Sequence, residues 1–155
     1  PGSIAAGATS TVTATIRDAN NNPIPSGITV TFSKSGGTST GTFSPVTNLG
    51  AGQYAINYQG LNAGTAQTIG VIVDGSPLGP TTTIAVVPGA PSPLLSTLTV
   101  SSSTVIAGSS VSVTAMIRDA YNNPISSGLI MAFDKTGGTS TGTFTPVSND
   151  GNGQY

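Results

Sequence analysis

Asp18, Asn20 and Asn22 stand at alternate positions, the D-x-N-x-N spacing with which a loop can turn three side-chain oxygens toward calcium. A complete loop of that kind carries glycine at its sixth position and a bidentate acid at its twelfth. Pro23 and Thr29 stand there instead. A second such run begins at Asp119 and puts Tyr121 where the first has Asn20. Asp18 and Asp119 are therefore read as turn residues whose carboxylates accept hydrogen bonds from nearby backbone. Asn149, Asp150 and Asn152 form a looser oxygen cluster, of which the earlier counterpart keeps only Asn48.

Other groups offer less. Gly50-Ala51-Gly52-Gln53-Tyr54-Ala55 fits Gly-x-Gly-x-x-Ala, but a dinucleotide fingerprint needs a strand before it and a helix after it. A strand pattern follows here, so the run is read as the turn that opens a strand. Lys34 and Lys135 continue the inward parity of Phe32 and Phe133. A lysine so placed can be cross-linked to an asparagine through a neighbouring acid. With no glutamate in the chain and no aspartate opposite, its long side chain is expected to snorkel past the sheet edge. Arg17–Asp18 and Arg118–Asp119 are adjacent on strands, so their side chains point to opposite faces and do not form pairs. Histidine and glutamate are absent, so no general base stands beside the many serines, and the five aspartates are scattered. Four tyrosines and four phenylalanines, mostly on inward parity, leave few aromatic platforms for sugars. The reading is of a protein that is not an enzyme, with no catalytic, cofactor-binding or metal residues and no cofactor.

Composition narrows the partners. Only 6% of the 155 residues are charged and the net charge is −1. Four basic residues cannot make the footprint that a phosphate backbone requires, so no nucleic acid is expected. No apolar run approaches the ~18 residues of a membrane helix, and no membrane insertion of this segment is expected. A secretion signal or anchor, where the protein has one, is expected outside this stretch. Cysteine is absent, which removes disulfides and thiolate chemistry.

The elements that must position these residues repeat. Ala14–Ile24 reads ATIRDANNNPI, and Ala115–Ile125, 101 residues later, reads AMIRDAYNNPI. Gly36–Tyr54 returns as Gly137–Tyr155 at the same offset, and about 32 of the 54 overlapping positions are identical. A period of this length suits an independently folding unit. Residues 1–87 form the first repeat, with its opening strand missing. Residues 88–93, Pro-Gly-Ala-Pro-Ser-Pro, form an extended, fairly stiff linker. Residues 94–155 form the second repeat, with its C-terminal strands missing. The sequence is expected to be a window onto a longer array.

Period-2 alternation predicts strands around Val12–Ile16, Ile28–Phe32, Thr42–Val46, Tyr54–Tyr58, Ile69–Val73 and Thr82–Val86. In the second repeat it predicts Thr97–Val105, Val111–Ile117 and Leu129–Phe133. About seven strands per repeat, parted by turn clusters, is the pattern of a two-sheet sandwich, with Val30, Phe32, Tyr54, Ile56 and Val71 in its core.

The IRDAxNNPI run, the SGxxxxF strand after it and the GxGQY or DGNGQY turn resemble bacterial group 1 immunoglobulin-like domains, the repeats that stack in the rods of invasin- and intimin-type adhesins. The Gly-x-Gly-x-Tyr element also resembles filamin-type repeats. The family usually has glycine where Asn21 and Asn122 stand, and asparagine accepts the same left-handed backbone. The resemblance implies an all-β fold of tandem immunoglobulin-like sandwich repeats at the cell surface or outside the cell. It implies a structural segment of a rod, stalk or filament. The alternative is an adhesin or an accessory binding module of a secreted polysaccharide-degrading enzyme. In such adhesins receptor binding often belongs to a distinct terminal domain, and no stretch here matches one. The expected partners are neighbouring repeats of the same chain or identical subunits in head-to-tail contact. A second repeat lacking strands would expose sheet edges. It is expected to be completed by chain beyond Tyr155 or by strands from a neighbour.

Overall fold

Branched and polar side chains that alternate along the sequence become strands where a second strand lies beside them. The computed structural model describes residues 2–155 and holds no helix among them. The chain divides into two units, the first ending at Pro88 and the second running from Gly89 to Tyr155.

The first unit carries β1 (Ser3–Ala5), β2 (Thr9–Thr15), β3 (Val30–Ser35), β4 (Thr40–Phe43), β5 (Thr47–Gly50), β6 (Gln53–Asn62), β7 (Gln67–Val73) and β8 (Ser76–Val87). One sheet runs β1-β8-β7-β3; the other runs β2-β6-β4, with β5 also paired to β6. All pairs are antiparallel except β1 with β8. The inward faces meet in two clusters. Ile4, Tyr58, Ile69, Ile84 and Val86 fill one; Ile16, Val30, Tyr54 and Val71 fill the other. Both draw on both sheets, which makes the unit a β-sandwich.

Val30, Tyr54, Ile56 and Val71 are buried, in line with the alternation. Phe32 differs: it is half-buried and spans the two clusters instead of sitting inside one. The expected strand at Thr42–Val46 is also corrected. Strand β4 ends at Phe43 and β5 begins at Thr47, because Pro45 between them has no N–H for the ladder.

The second unit has a single two-stranded sheet among the described residues, β9 (Thr97–Val100) against β10 (Val113–Met116). The strand expected at Thr97–Val105 thus stops at Val100. Leu129–Phe133 forms no strand, although its counterpart is built into β3. The physical reason is partnership: β3 forms its ladder with β7, and no described residue of the second unit takes the place of β7. Phe133 and Phe144 still meet, ring centroids 6.0 Å apart, while Leu98, Ile106 and Ile130 face solvent.

Residues 88–93 were expected to be extended. From Gly89 onward the segment instead lies along the second unit. Pro91 bridges Asp119, and the Ser92 N–H donates to the Arg118 carbonyl at 2.7 Å. The chain then turns, with the Leu95 and Ser96 amides donating to the Ser92 carbonyl.

Candidate functional site

The run shared by both units, Arg-Asp-Ala-x-Asn-Asn-Pro-Ile, closes one tight turn in each. Asn21 and Asn122 both sit at φ 66°, the left-handed conformation that asparagine tolerates. Asp18 Oδ1 accepts the amides of Asn20 and Asn22 at 2.9 and 2.8 Å, and Asn22 Nδ2 donates to Oδ2 at 3.0 Å. Asp119 repeats this with Tyr121, Asn123 and Asn123 Nδ2, each at 2.8 Å. Neither arginine meets its neighbouring aspartate: Arg17 and Arg118 donate to the carbonyls of Asn21 and Asn122, both at 2.9 Å. In both turns the carboxylate oxygens accept hydrogen bonds from the chain's own amides.

The two turns differ in one respect. Asp119 is 1% exposed and its Oδ2 also accepts the Gly89 N–H at 2.8 Å, whereas Asp18 is open to solvent. Burial pushes the Asp119 carboxyl up, but hydrogen bonds from Gly89, Asn123 and Tyr121 outweigh it and hold the group below the ordinary value. Asp18 is also held below that value, chiefly by the Asn22 side chain and backbone amide.

Beneath each turn lies the Gly-x-Gly element. Gly50, Ala51 and Gly52 all have positive φ, and the chain passes from them directly into β6. A Cβ on Gly52 would stand 2.5 Å from the Ile16 carbonyl oxygen, and one on Gly153 2.5 Å from that of Ile117. The glycines let the Gly52 carbonyl accept the Ile16 amide at 2.7 Å, as the Gly153 carbonyl accepts that of Ile117. This is the close approach of two backbones, with no helix for a pyrophosphate. Two asparagines not singled out for this role complete the joint. Asn48 Nδ2 donates to the Pro25 carbonyl while Oδ1 accepts the Gly50 amide, and Asn149 does the same with Ser126 and Gly151. Their recurrence at one offset was the available signal. Asp150 supplies a backbone amide to the Gln154 carbonyl at this turn. Lys34 extends past its strand, donates to the Gly41 carbonyl and lies 5.3 Å from the Phe43 ring centre, a cation–π contact.

Edge accessibility separates the units further. In the second unit β10 has β9 on one side, in the register Val113↔Val100 to Met116↔Thr97. On its other side Ala115 exchanges both backbone bonds with Tyr155, each 2.9 Å. In the first unit β2, the counterpart of β10, pairs with β6 through Ala14↔Tyr54 and is an edge strand. Beside it a groove of about 220 Å³ opens between the sheets, lined by Val12, Ala14, Phe32, Val71 and Leu78 among others.

A two-sheet sandwich whose β-turn aspartate and Gly-x-Gly-x-Tyr strand interlock is an immunoglobulin-like domain of the invasin type. Residues 1–89 match the family model described as Invasin, domain 3, and the chain belongs to that family. Among solved structures it is similar to the Escherichia coli adhesin FdeC, with 28% identity, a TM-score of 0.60 and coverage of 81% of this chain and 40% of that one. It is also similar to invasin, a bacterial integrin-binding protein, with 26% identity, a TM-score of 0.64 and coverage of 81% and 26%. The Yersinia pseudotuberculosis adhesin InvE gives 31% identity, a TM-score of 0.58 and coverage of 77% and 33%. The chain thus spans at most 40% of the length of these three structures. No curated protein matches it.

Proposed function

We propose that this chain is a structural segment of a cell-surface adhesin, made of immunoglobulin-like repeats that extend a rod or stalk and hold another part of the molecule outward. The observation that carries this reading is the use made of the polar groups. The carboxylates of Asp18 and Asp119, and the amides of Asn48 and Asn149, are turned onto the chain's own backbone, where they fix turns. Membership of an invasin family supports the surface location. No helix among the described residues is long and apolar enough to cross a membrane. The partners that fit are neighbouring repeats of the same chain or identical subunits joined head to tail.

A second reading, in which the segment itself binds a host receptor, is favoured by its similarity to an integrin-binding protein. Cell binding separates the two. Beads coated with residues 1–155 should adhere to cultured epithelial cells no better than uncoated beads if the segment is a spacer. Saturable adhesion competed by the soluble chain would replace the spacer reading with the adhesin one. Electron microscopy of the intact surface protein should then show beads in a row.

A further inference from the structure

The Gly-x-Gly joint is built alike in both units, but its middle residue is not the same. Asn152–Gly153 is the only asparagine–glycine pair in the chain, and Ala51 stands at the counterpart of Asn152 in the first unit. Ala51 and Asn152 hold the same left-handed backbone, φ 49° and 50°. An asparagine side-chain amide lies within reach of the next residue's backbone nitrogen, and glycine puts no Cβ in the path of that approach. The Asn152 side chain is exposed and takes no part in the hydrogen bonds that close the turn. Those join Gly151 to Asn149, Asp150 to Gln154 and Gln154 to Gly151.

The nitrogen that can attack is held in place. Gly153 is buried, its N–H donates to Ser126 Oγ at 2.9 Å, and its carbonyl accepts the Ile117 amide at 2.7 Å. The first unit has Pro25 at the place of Ser126, so it carries neither the reactive side chain nor this restraint. From this we propose that Asn152 is a site of self-modification and that Ser126 is the positioning residue that sets its rate. When the Ser126 bond opens, the Gly153 nitrogen gives its proton to solvent base and bonds to Asn152 Cγ. The Cγ–Nδ2 bond breaks, and Nδ2 leaves as ammonia with a proton from water. The succinimide ring so formed then takes up water. Opening at Cγ gives an aspartate. Opening at the main-chain carbonyl gives an isoaspartate, in which the chain runs through Cβ and Cγ. No oxidation or reduction is involved, and solvent supplies every co-reactant.

The joint has no room for the second product. A Cβ on Gly153 would already stand 2.5 Å from the Ile117 carbonyl oxygen, and an isoaspartyl link lengthens the main chain by a methylene at that spot. Gly153 then cannot keep its carbonyl on the Ile117 amide while Tyr155 exchanges both its bonds with Ala115. A turn so modified stays open. Either product also adds a negative charge close to Asp150 in a chain whose net charge is −1. The second unit thus carries a one-way chemical timer that the first lacks. This inference holds whether the segment is a spacer or binds a receptor.

The test incubates residues 1–155 in mildly alkaline buffer, with and without urea. Peptide mapping by mass spectrometry follows the change from amide to acid, and isoaspartyl methyltransferase labelling gives a second readout. The change should accumulate at Asn152 ahead of every other asparagine, with the label in the same peptide, and should run faster in urea than in native buffer. Ser126→Ala should speed the native reaction about fivefold, the effect of one lost hydrogen bond on an opening equilibrium, and leave the rate in urea unchanged. Ser126→Thr, which keeps the hydroxyl, should react at the parent rate, and Asn152→Ala should lose the label. Conversion that appears first at another asparagine would overturn the site. Equal parent rates in native buffer and urea, or equal native rates for the parent and a folded Ser126→Ala, would overturn the role of Ser126.

Discussion

Asp18 and Asp119 make the same three hydrogen bonds in the same turn, yet they should not matter equally. Replacing Asp119 by alanine leaves the amides of Gly89, Tyr121 and Asn123 without their acceptor, that of Asn123 in a buried place, and should cost about 3 kcal/mol in chemical denaturation of the second unit. Asp18→Ala should cost less, because water reaches the freed amides. Both carboxyls are held below the ordinary aspartate value, so the charged form is the one the fold favours. Their contribution is complete above about pH 4 and falls away as pH drops through the lower native values. A melting series in acid should show this loss, and Asp119→Asn should flatten the part that belongs to the second unit. Gly52 is a harder constraint. Alanine there adds a left-handed conformation and a Cβ against the Ile16 carbonyl, and should destabilise the first unit by about 2 kcal/mol or more. Glycine-to-alanine at Gly50, where a Cβ meets open space, should cost less and is the control.

At the level of the element, pairing decides what alternation can only suggest. Tyr58 in β6 is fully buried, its hydroxyl donating to Gln67 Oε1 at 3.0 Å and its ring edge-on to Phe43. Tyr58→Ala should cost about 3–5 kcal/mol in denaturant unfolding, and Phe32→Ala, half-buried, about 2–3 kcal/mol. The reverse order would mean that Phe32 and not Tyr58 anchors the sandwich. The fold class, the two aspartate turns and most of the core were legible in the sequence, because Val30 and Phe32, and Tyr54, Ile56 and Tyr58, stand at alternate positions and the turn runs recur intact. Two things were not. The break between β4 and β5 depended on one missing N–H at Pro45. The absence of a strand at Leu129–Phe133 could not be read from residues that match β3, since a strand is a relation to another strand and its side chains carry only half of it. The proline-rich run looked like a spacer for the same reason: the groups it bonds, Asp119 and Arg118, lie about thirty residues further along.

Across the whole molecule, stability should be unevenly spread. Residues 129–147 lie in no described strand, while β6 and β7 are central strands of their sheets. Amide exchange should therefore be fast through 129–147 and slowest at Tyr58 and Ile69, with the turn at Asp119 intermediate. Uniform protection through Phe144 would contradict this. The parallel pairing of β1 with β8 has a different consequence, which concerns load. Ser3 lies beside Ala85 and Ala5 beside Val87, so the first and last strands of the unit run in the same direction. Tension applied to its two ends would drag these strands past each other lengthwise. The bonds from the Ala85 amide to the Gly2 carbonyl and from the Ala6 amide to the Val87 carbonyl would share the force, with Ile4 packed in the cluster that holds Val86. A hairpin pulled open at its mouth gives way one bond at a time; strands loaded in shear must yield together. The pairing that closes the sandwich is thus also a mechanical latch, and a proline at Ala6 should lower the rupture force in single-molecule pulling far more than it lowers the melting temperature.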